Sequence, residues 1–182
     1  MIYLIGGPPR VGKSTLAKMV LEREKVAYIE TDWLVWMLMS AAPQLHVASV
    51  SSFTVAEYQH KAQTFYPFLY QFIKHNQFTN TIYTIEGDSF FPEQVVQLQK
   101  EFAIKACFLG VSSMHPETIL KYPETENWTH HISQEKLDQL SQCTVDLSNL
   151  MQQECLKYAL PYVDLVKDRE QKFEQAYKSL MQ

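Results

Sequence analysis

A short glycine-containing segment near the start of the chain constrains its fold more than any other feature. Gly7 is followed by four residues and then by Gly12, Lys13 and Ser14, which matches the pattern G-x-x-x-x-G-K-[ST]. A loop of this kind wraps a phosphate group with backbone N–H donors, and its glycines permit the turn. The segment therefore predicts a phosphate-binding loop, or P-loop.

The loop also predicts which residues contact a bound nucleotide. Pro8 and Pro9 have no N–H group, so the backbone donors should come from residues 10–15. We expect the Lys13 ammonium to bind the β- and γ-phosphates and the Ser14 hydroxyl to bind Mg²⁺. The full set of expected nucleotide contacts is Gly7, Pro9, Arg10, Val11, Gly12, Lys13, Ser14 and Thr15.

The surroundings of the loop distinguish it from a chance match. Residues 2–5 form an apolar run that favours a β-strand, and apolar residues recur at helical spacing over 13–25. A strand, a glycine loop and a helix in this order are the context that a P-loop requires. The alternative, a glycine-rich turn with an unrelated Lys-Ser pair, does not predict that context.

Composition and charge narrow the class of protein. A chain of 182 residues, 46% hydrophobic and 20% charged, is typical of a single globular domain, expected here over 1–182. No apolar run reaches the roughly 18 residues of a membrane span, and the start of the chain does not resemble a signal peptide. The net charge of −4 gives no support for nucleic-acid binding. Three cysteines without metal-ligand spacing favour a reducing cytoplasm.

Acidic residues follow two further predicted strands. Asp32 comes after a strand over 26–31, and it could accept the proton of a substrate hydroxyl or support Mg²⁺ from the outer shell. The alternative is that Asp32 caps the next helix, and one residue can do both. Glu86 and Asp88 follow a strand over 81–85; Glu86 could hold a metal-bound water and Asp88 could contact a substrate. The alternative here is two turn acids beside Gly87.

Two segments between the strands are candidates for covering a site. Residues 33–78 form an apolar, aromatic-rich helical insert in which 54–57 predict a capping box and Pro67 should kink or split a helix. We expect the insert to bind the acceptor, although its individual aromatic side chains are expected in the core. Residues 111–132 follow a strand over 104–109 and are the expected lid. The remaining predicted elements are helices over 92–100, 133–158 and 168–180, and an edge strand over 160–165.

With the P-loop, Asp32 and Glu86, the chain resembles the P-loop small-molecule kinases, which include nucleoside monophosphate kinases, gluconate and shikimate kinases and antibiotic phosphotransferases. The resemblance covers the whole chain in element order, but only the P-loop is a specific match. It implies a three-layer α/β/α P-loop NTPase fold. In that fold a five-stranded parallel sheet has the order 2-3-1-4-5, with a helical insert after strand 2 and a lid after strand 4. It also implies Lys13 and Ser14 as phosphate and Mg²⁺ residues, Asp32 as an acceptor-binding residue or base, and ATP as the nucleotide.

The chain departs from this family in its lid. Family lids usually supply arginines that neutralise the transferring phosphoryl group, which can contribute ~10³-fold or more to the rate. Residues 110–167 contain no arginine. Arg10, Lys121 and Lys136 are the candidates to replace them, although lysine lacks the bidentate geometry of arginine. Either Arg10 takes this role, or catalysis is slow, or the activity is not that of a kinase.

Three functions remain open from the sequence. The first is an ATP-dependent phosphotransferase that uses Mg²⁺ and a catalytic set of Lys13, Asp32 and Arg10, acting on a small hydroxylated or phosphorylated metabolite. Glu86, Asp88 and Asp32 would then contact the substrate, and the partners would be a nucleotide and a small-molecule acceptor. The second is a nucleotide-binding or hydrolysing switch without an acceptor, and the third is an inactive interaction module. The scarcity of arginine in the insert favours an acceptor less anionic than a nucleotide monophosphate. The sequence is compatible with a monomer and with a homodimer.

Overall fold

The fold is built on a parallel β-sheet. The computed structural model describes residues 1–76, 78, 81–121 and 128–182. The sheet has five strands in the order β2-β3-β1-β4-β5, which confirms the expected order and the edge position of the last strand. The strands are β1 (Ile2–Gly6), β2 (Tyr28–Glu30), β3 (Tyr83–Gly87), β4 (Ile104–Gly110) and β5 (Tyr162–Asp164).

The register brings the ends of the central strands together. Gly6 at the end of β1 pairs with Gly87 of β3 and with Phe108 of β4. Because the strands are parallel, the segments that follow them leave from the same edge of the sheet. The P-loop, which follows β1, and Asp88, which follows β3, therefore lie next to each other. Three strands differ from their expected bounds by more than one residue. Strand β3 is displaced by two residues so that Glu86 lies within it, and β2 and β5 are shorter than the expected 26–31 and 160–165.

Helices cover both faces of the sheet, as the expected three-layer architecture requires. Their bounds are α1 (Lys13–Glu24), α2 (Thr31–Ala41), α3 (Val55–Asn76), α4 (Pro92–Gln99), α5 (Pro116–Lys121), α6 (Gln134–Tyr158) and α7 (Arg169–Met181). Alternate residues of β1 point to opposite faces: Leu4 packs with α3, α4 and α6, whereas Ile5 packs with α1 and α7. Both side chains are fully buried, as expected for a strand covered on both sides.

The insert after β2 differs from its prediction in three details. Helix α2 begins at Thr31, so Asp32 lies in its first turn and is not the N-cap. Of the two expected effects of Pro67, splitting does not occur, since α3 is continuous over Val55–Asn76. The capping box over 54–57 is only half formed: the Thr54 hydroxyl accepts from the Glu57 N–H, but the Glu57 carboxylate accepts from Ser51 and Ser52 instead.

The expected lid is described only in part. Helix α5 and a 3₁₀ turn at Trp128–His131 flank residues 122–127, which lie outside the described residues. Residue 77 of the insert and residues 79 and 80 after it also lie outside them. The Ser133 hydroxyl accepts from the Lys136 N–H and caps α6, as predicted. Within the described parts of the chain, no helix is both long enough and apolar enough to span a bilayer.

Candidate active site

The P-loop joins β1 to α1 and has the backbone geometry that its glycines predict. Gly7 and Gly12 have φ angles of 147° and 109°. A Cβ atom at Gly12 would lie 2.8 Å from Arg169 Nη2 and from Phe173 Cζ of α7, so glycine is also required for packing. Lys13 begins α1, and the positive end of this helix is directed at the loop. This is the arrangement that binds a phosphate group.

Arg10 has a strained conformation within the loop. Its φ angle of 67° lies in the left-handed region, which is unfavourable for a residue with a side chain. Its guanidinium Nη2 donates to the carbonyl oxygen of Ile119 in α5, at 3.1 Å, and burial lowers its pKa. Of the three candidates for the missing lid arginines, Arg10 lines the cavity described below, whereas Lys121 and Lys136 are exposed and do not.

The amine of Lys13 is folded back onto the loop. Its Nζ donates to the carbonyl oxygen of Pro8 at 2.7 Å, and the side chain is buried. On the outer side of the loop, Arg169 Nη2 donates to the carbonyl oxygen of Val11 at 3.0 Å. This contact could not be predicted from the sequence, because Arg169 lies 158 residues from Val11. Arg23 is instead paired with Glu174 on the surface.

Ser14 and Glu86 meet at the base of the loop. The Ser14 hydroxyl donates to Glu86 Oε1 at 2.6 Å, although the two residues are 72 positions apart. Glu86 is only 3% exposed, and burial raises its pKa against the opposing effects of Lys13 and the Ser14 hydrogen bond. A hydroxyl and a carboxylate side by side are hard oxygen donors of the kind that Mg²⁺ prefers.

These two oxygen donors fit Mg²⁺ only together with phosphate ligands. Among the described residues, no group of three or more His, Cys, Asp or Glu side chains could hold a metal ion. Mg²⁺ in nucleotide enzymes is commonly held by one or two carboxylates together with substrate phosphates and water. The donor set at Ser14 and Glu86 is compatible with that mode of binding.

A buried lysine connects the other two acidic residues. Lys61 Nζ, from α3, donates to Asp32 Oδ1 at 2.9 Å and to Asp88 Oδ1 at 2.7 Å. Burial opposes the charge of Lys61, but the two carboxylates outweigh it and raise its pKa to about 12. Burial likewise opposes ionisation of Asp88, and Lys61 outweighs it, so the pKa of Asp88 is lowered. Asp32 and Asp88 are thus brought together by one ammonium group.

Lys61 is not among the site residues predicted from the sequence, although its position in α3 indicates a buried charge. Tyr58, Ala62, Phe65 and Leu69 form the buried face of α3 at helical spacing, and Lys61 lies on the same face. A lysine among buried positions requires an ionic partner. That pattern would have indicated a buried ion pair, but it does not identify Asp32 and Asp88 as the partners.

One cavity of about 530 Å³ connects the P-loop with the insert. Its lining residues come from the loop, from the ends of β2 and β3, from α2 and α3, and from the segment before α3. They are Pro9, Arg10, Lys13, Ser14, Glu30, Asp32, Val35, Trp36, Met39, Ser49, Val50, Phe53, Tyr58, Lys61, Glu86, Gly87, Asp88 and Trp128. The structure thus places Arg10, Lys13, Ser14, Asp32, Glu86 and Asp88 around one cavity.

Two tryptophans of the insert depart from their expected core positions, whereas most of its other aromatic side chains are buried in the core or packed against it. Trp33 and Trp36 are 59% and 67% exposed, and Trp36 lines the cavity. Phe53 and Trp128 stack at its wall, with ring centroids 5.8 Å apart. Tyr58 is buried as predicted, yet it also lines the cavity. The cavity therefore has an acidic floor and an aromatic wall.

Comparisons with known proteins show the fold. No protein-family model and no curated protein matches the chain. A sugar kinase from Janibacter sp. has a similar structure, with a TM-score of 0.59 and 15% identity over 99% of this chain and 94% of that one. A gluconokinase from Sinorhizobium meliloti gives a TM-score of 0.50 and 13% identity, over 99% and 90% of the two chains.

Proposed function

We propose that this chain, which has the fold of the P-loop small-molecule kinases, is an ATP-dependent phosphotransferase that acts on a small hydroxylated acceptor with Mg²⁺. The observation that carries the proposal is the single cavity in which Lys13 and Ser14 are continuous with Asp32 and Lys61. A phosphotransferase needs a nucleotide phosphate and an acceptor within reach of each other. A nucleotide switch without an acceptor does not need a second chamber beside the phosphate site.

The P-loop would bind and orient the phosphates of ATP. Lys13 would exchange the Pro8 carbonyl oxygen for β- and γ-phosphate oxygens, and the backbone N–H groups at the start of α1 would complete the contacts. Arg10 would leave the Ile119 carbonyl oxygen and neutralise charge on the transferring group. Bound Mg²⁺ would neutralise phosphate charge, and Ser14 and Glu86 would hold it.

Asp32 is proposed to bind the acceptor hydroxyl and to accept its proton. Lys61 fixes one oxygen of this carboxylate, while the Asp32 side chain remains 54% exposed. Asp88 is proposed to act mainly through Lys61, because its Oδ1 accepts from that ammonium and from the Ser89 hydroxyl. The insert over 33–78 would provide the rest of the acceptor site, and 111–132 would cover the nucleotide.

Titration calorimetry with Mg·ATP tests the nucleotide half of the proposal. We expect the wild-type protein to bind Mg·ATP and Lys13→Ala to lose binding by at least roughly tenfold, because the main phosphate cation is removed. Mg·GTP serves as the comparison for nucleotide choice. Lys100→Ala, an exposed lysine at the end of α4, is the matched control and should bind as the wild type does.

Two outcomes would contradict this half of the proposal. One is equal affinity of Lys13→Ala and wild type for Mg·ATP, and the other is no binding by the wild-type protein. The acceptor half requires a separate observation, namely release of ADP that depends on an added hydroxylated compound. If nucleotide hydrolysis has the same rate without an acceptor as with each of the acceptors tested, the switch function is favoured instead.

A further inference from the structure

The side chains that line the part of the cavity beyond the P-loop determine which class of acceptor can bind. This part, the acceptor half, is lined by the end of β2, by α2, by residues 49–53, by the start of α3, by the end of β3 and by Trp128. Its charged groups are the carboxylates of Glu30, Asp32 and Asp88 and the ammonium of Lys61, counting the described residues only. The charge of Lys13 in the P-loop also acts on Glu30 and Asp88, but the phosphates of ATP would neutralise it. Carboxylates therefore outnumber cations in this half.

Lys61 is not positioned to attract an anionic substrate. Its ammonium already lies 2.9 Å from Asp32 Oδ1 and 2.7 Å from Asp88 Oδ1, and its side chain is 9% exposed. A carboxylate or phosphate on the acceptor would have to displace one of these carboxylates from the ammonium. The displaced carboxylate would then be left buried or close to a like charge, which is unfavourable. Arg10 and Lys13 also line the cavity, and the phosphates of ATP would occupy both of them.

The free carboxylate surface favours a positive charge instead. Asp32 keeps about half of its side chain exposed, and Glu30 precedes it by two residues at the end of β2. Burial raises the pKa of Glu30, and the neighbouring charge of Asp32 raises it further. Two neighbouring carboxylates that repel each other are both stabilised when a cation binds between or beside them.

The aromatic wall is compatible with the same kind of ligand. Trp36 is 67% exposed at the cavity, and Trp128, stacked on Phe53, is 47% exposed. The face of an indole ring attracts ammonium groups and also packs against apolar ring or chain surfaces. Exposed tryptophans beside the solvent-accessible carboxylates of Asp32 and Glu30 thus offer two independent sources of affinity for an organic cation.

We propose that the acceptor is a hydroxylated amine, such as an amino sugar or amino alcohol, which is positively charged at neutral pH. This inference rests on the proposed function, because it names the substrate class of the same site. The hydroxyl would bind Asp32 and receive the phosphoryl group from ATP. Its proton would pass to Asp32, the O–P bond to ADP would break, and ADP would leave. The ammonium would lie against Glu30 and the aromatic wall.

Acceptors of matched carbon skeleton and different charge test this inference. Glucosamine, glucose and gluconate form one set, and 3-amino-1,2-propanediol, glycerol and glycerate form another. ADP release is measured with the wild-type protein at saturating Mg·ATP. We expect an amine to give a kcat/KM about tenfold or more above that of its neutral counterpart, and the acid to be the poorest of the three, as expected for a favourable or unfavourable ionic contact.

Glu30→Gln identifies the origin of any preference for an amine. We expect this variant to reduce kcat/KM for the amine by roughly tenfold and for the neutral polyol much less, since only the amine loses an ionic partner. Glu22→Gln, an exposed glutamate on α1 away from the cavity, is the matched control and should leave both values unchanged.

The possible outcomes separate this inference from the proposed function. Transfer to gluconate or glycerate in preference to the amines overturns the amine acceptor, while the phosphotransferase function stands. If the amines are preferred and Glu30→Gln leaves that preference unchanged, the assigned contact between the ammonium and Glu30 is overturned. If no amine raises ADP release above the rate without acceptor, the amine acceptor is also overturned. Calorimetry with Mg·ATP then shows separately whether the nucleotide site exists.

Discussion

At the scale of single residues, Lys61 organises the acidic part of the cavity. It lies 29 positions from Asp32 and 27 from Asp88, and neither separation corresponds to a recognised motif. The P-loop residues could be predicted from the sequence because their chemistry depends on local spacing. The Asp32–Lys61–Asp88 arrangement could not, because it forms only when α2, α3 and β3 are packed together.

Removal of Lys61 should destabilise the protein in a pH-dependent way. Asp88 has a lowered pKa, so its ionic contribution is present above its unfolded pKa of about 3.9 and is lost as the pH falls through the folded value. Lys61→Met leaves Asp88 buried without its ionic partner, which should cost about 3 kcal/mol at pH 7. At pH 5 the loss should be smaller, since the pKa of Asp88 rises in the variant and protonation relieves the charge. Urea unfolding at both pH values measures this.

A double variant provides the control for Lys61→Met. Lys61→Met combined with Asp88→Asn removes both charges, so it should recover part of the lost stability at pH 7. Lys100→Met, at the exposed end of α4, should unfold as the wild type does. An equal loss of stability at pH 7 and pH 5, without recovery in the double variant, would show that Lys61 acts through packing alone.

Substitution of Glu86 should keep or raise the stability of the protein while it lowers the activity. Its pKa is raised by burial, so the ionised form is less stable in the folded protein than in the unfolded chain. The contribution of Glu86 to stability therefore falls as the pH rises from the unfolded pKa of about 4.3 through the folded value. At pH 7 Glu86→Gln should leave the Tm unchanged or raise it by a few degrees.

Activity distinguishes this effect from a neutral substitution. The same variant should lower the rate of phosphoryl transfer by at least about 10²-fold, because a carboxylate that would hold Mg²⁺ is lost. Differential scanning calorimetry and steady-state kinetics measure the two effects, with Glu22→Gln as the surface control. A clear fall in Tm, or full activity at limiting Mg²⁺, would contradict the role assigned to Glu86.

At the scale of elements, Gly87 determines where α2 begins. From the sequence, Gly87 could also have been a turn glycine between two acidic residues, but it lies at the end of β3 and is buried. A Cβ atom at this position would overlap Thr31, the first residue of α2. The absence of a side chain at Gly87 allows α2 to start against β3, which places Asp32 at the cavity. A close approach of this kind cannot be predicted from local sequence, since a single glycine is equally compatible with a turn.

Gly87→Ala should therefore displace α2 relative to β3. We expect a loss of stability of about 2 kcal/mol from overpacking and a KM for the acceptor that rises more than the KM for Mg·ATP. The reason is that Asp32 and Trp36 move with α2, whereas Lys13 and Ser14 do not. Chemical unfolding and steady-state kinetics with both substrates measure the change.

A second glycine gives the matched control. A Cβ atom at Gly110 would overlap Tyr162, and neither of these residues lines the cavity. Gly110→Ala should lose comparable stability without a selective effect on the acceptor KM. Gly87→Ala combined with Thr31→Ala should regain part of the stability. Similar effects of both glycine substitutions on the acceptor KM would contradict the role of Gly87 in positioning α2.

At the scale of the whole molecule, the parallel sheet brings a phosphate site and an acceptor chamber to one edge. The strands, most helices and the P-loop follow from apolar periodicity and turn chemistry, which act locally. The sheet order followed from the resemblance carried by the P-loop, Asp32 and Glu86, and not from the periodicity. The exposed positions of Trp33 and Trp36 could not be predicted, because hydrophobicity alone assigns such side chains to the core.

The fate of the γ-phosphoryl group of ATP tests the central claim most directly. Wild-type protein is incubated with Mg·ATP labelled at the γ-position and the acceptor panel, and the label is followed into organic phosphate and inorganic phosphate. For the wild type we expect the label in a phosphorylated acceptor, in an amount equal to the ADP formed. Asp32→Asn should lower the rate of transfer by at least about 10²-fold, because asparagine has a similar shape but cannot accept the proton. Label found only in inorganic phosphate, at a rate independent of every acceptor and of Asp32, would contradict a phosphotransferase and favour a nucleotide hydrolase or switch.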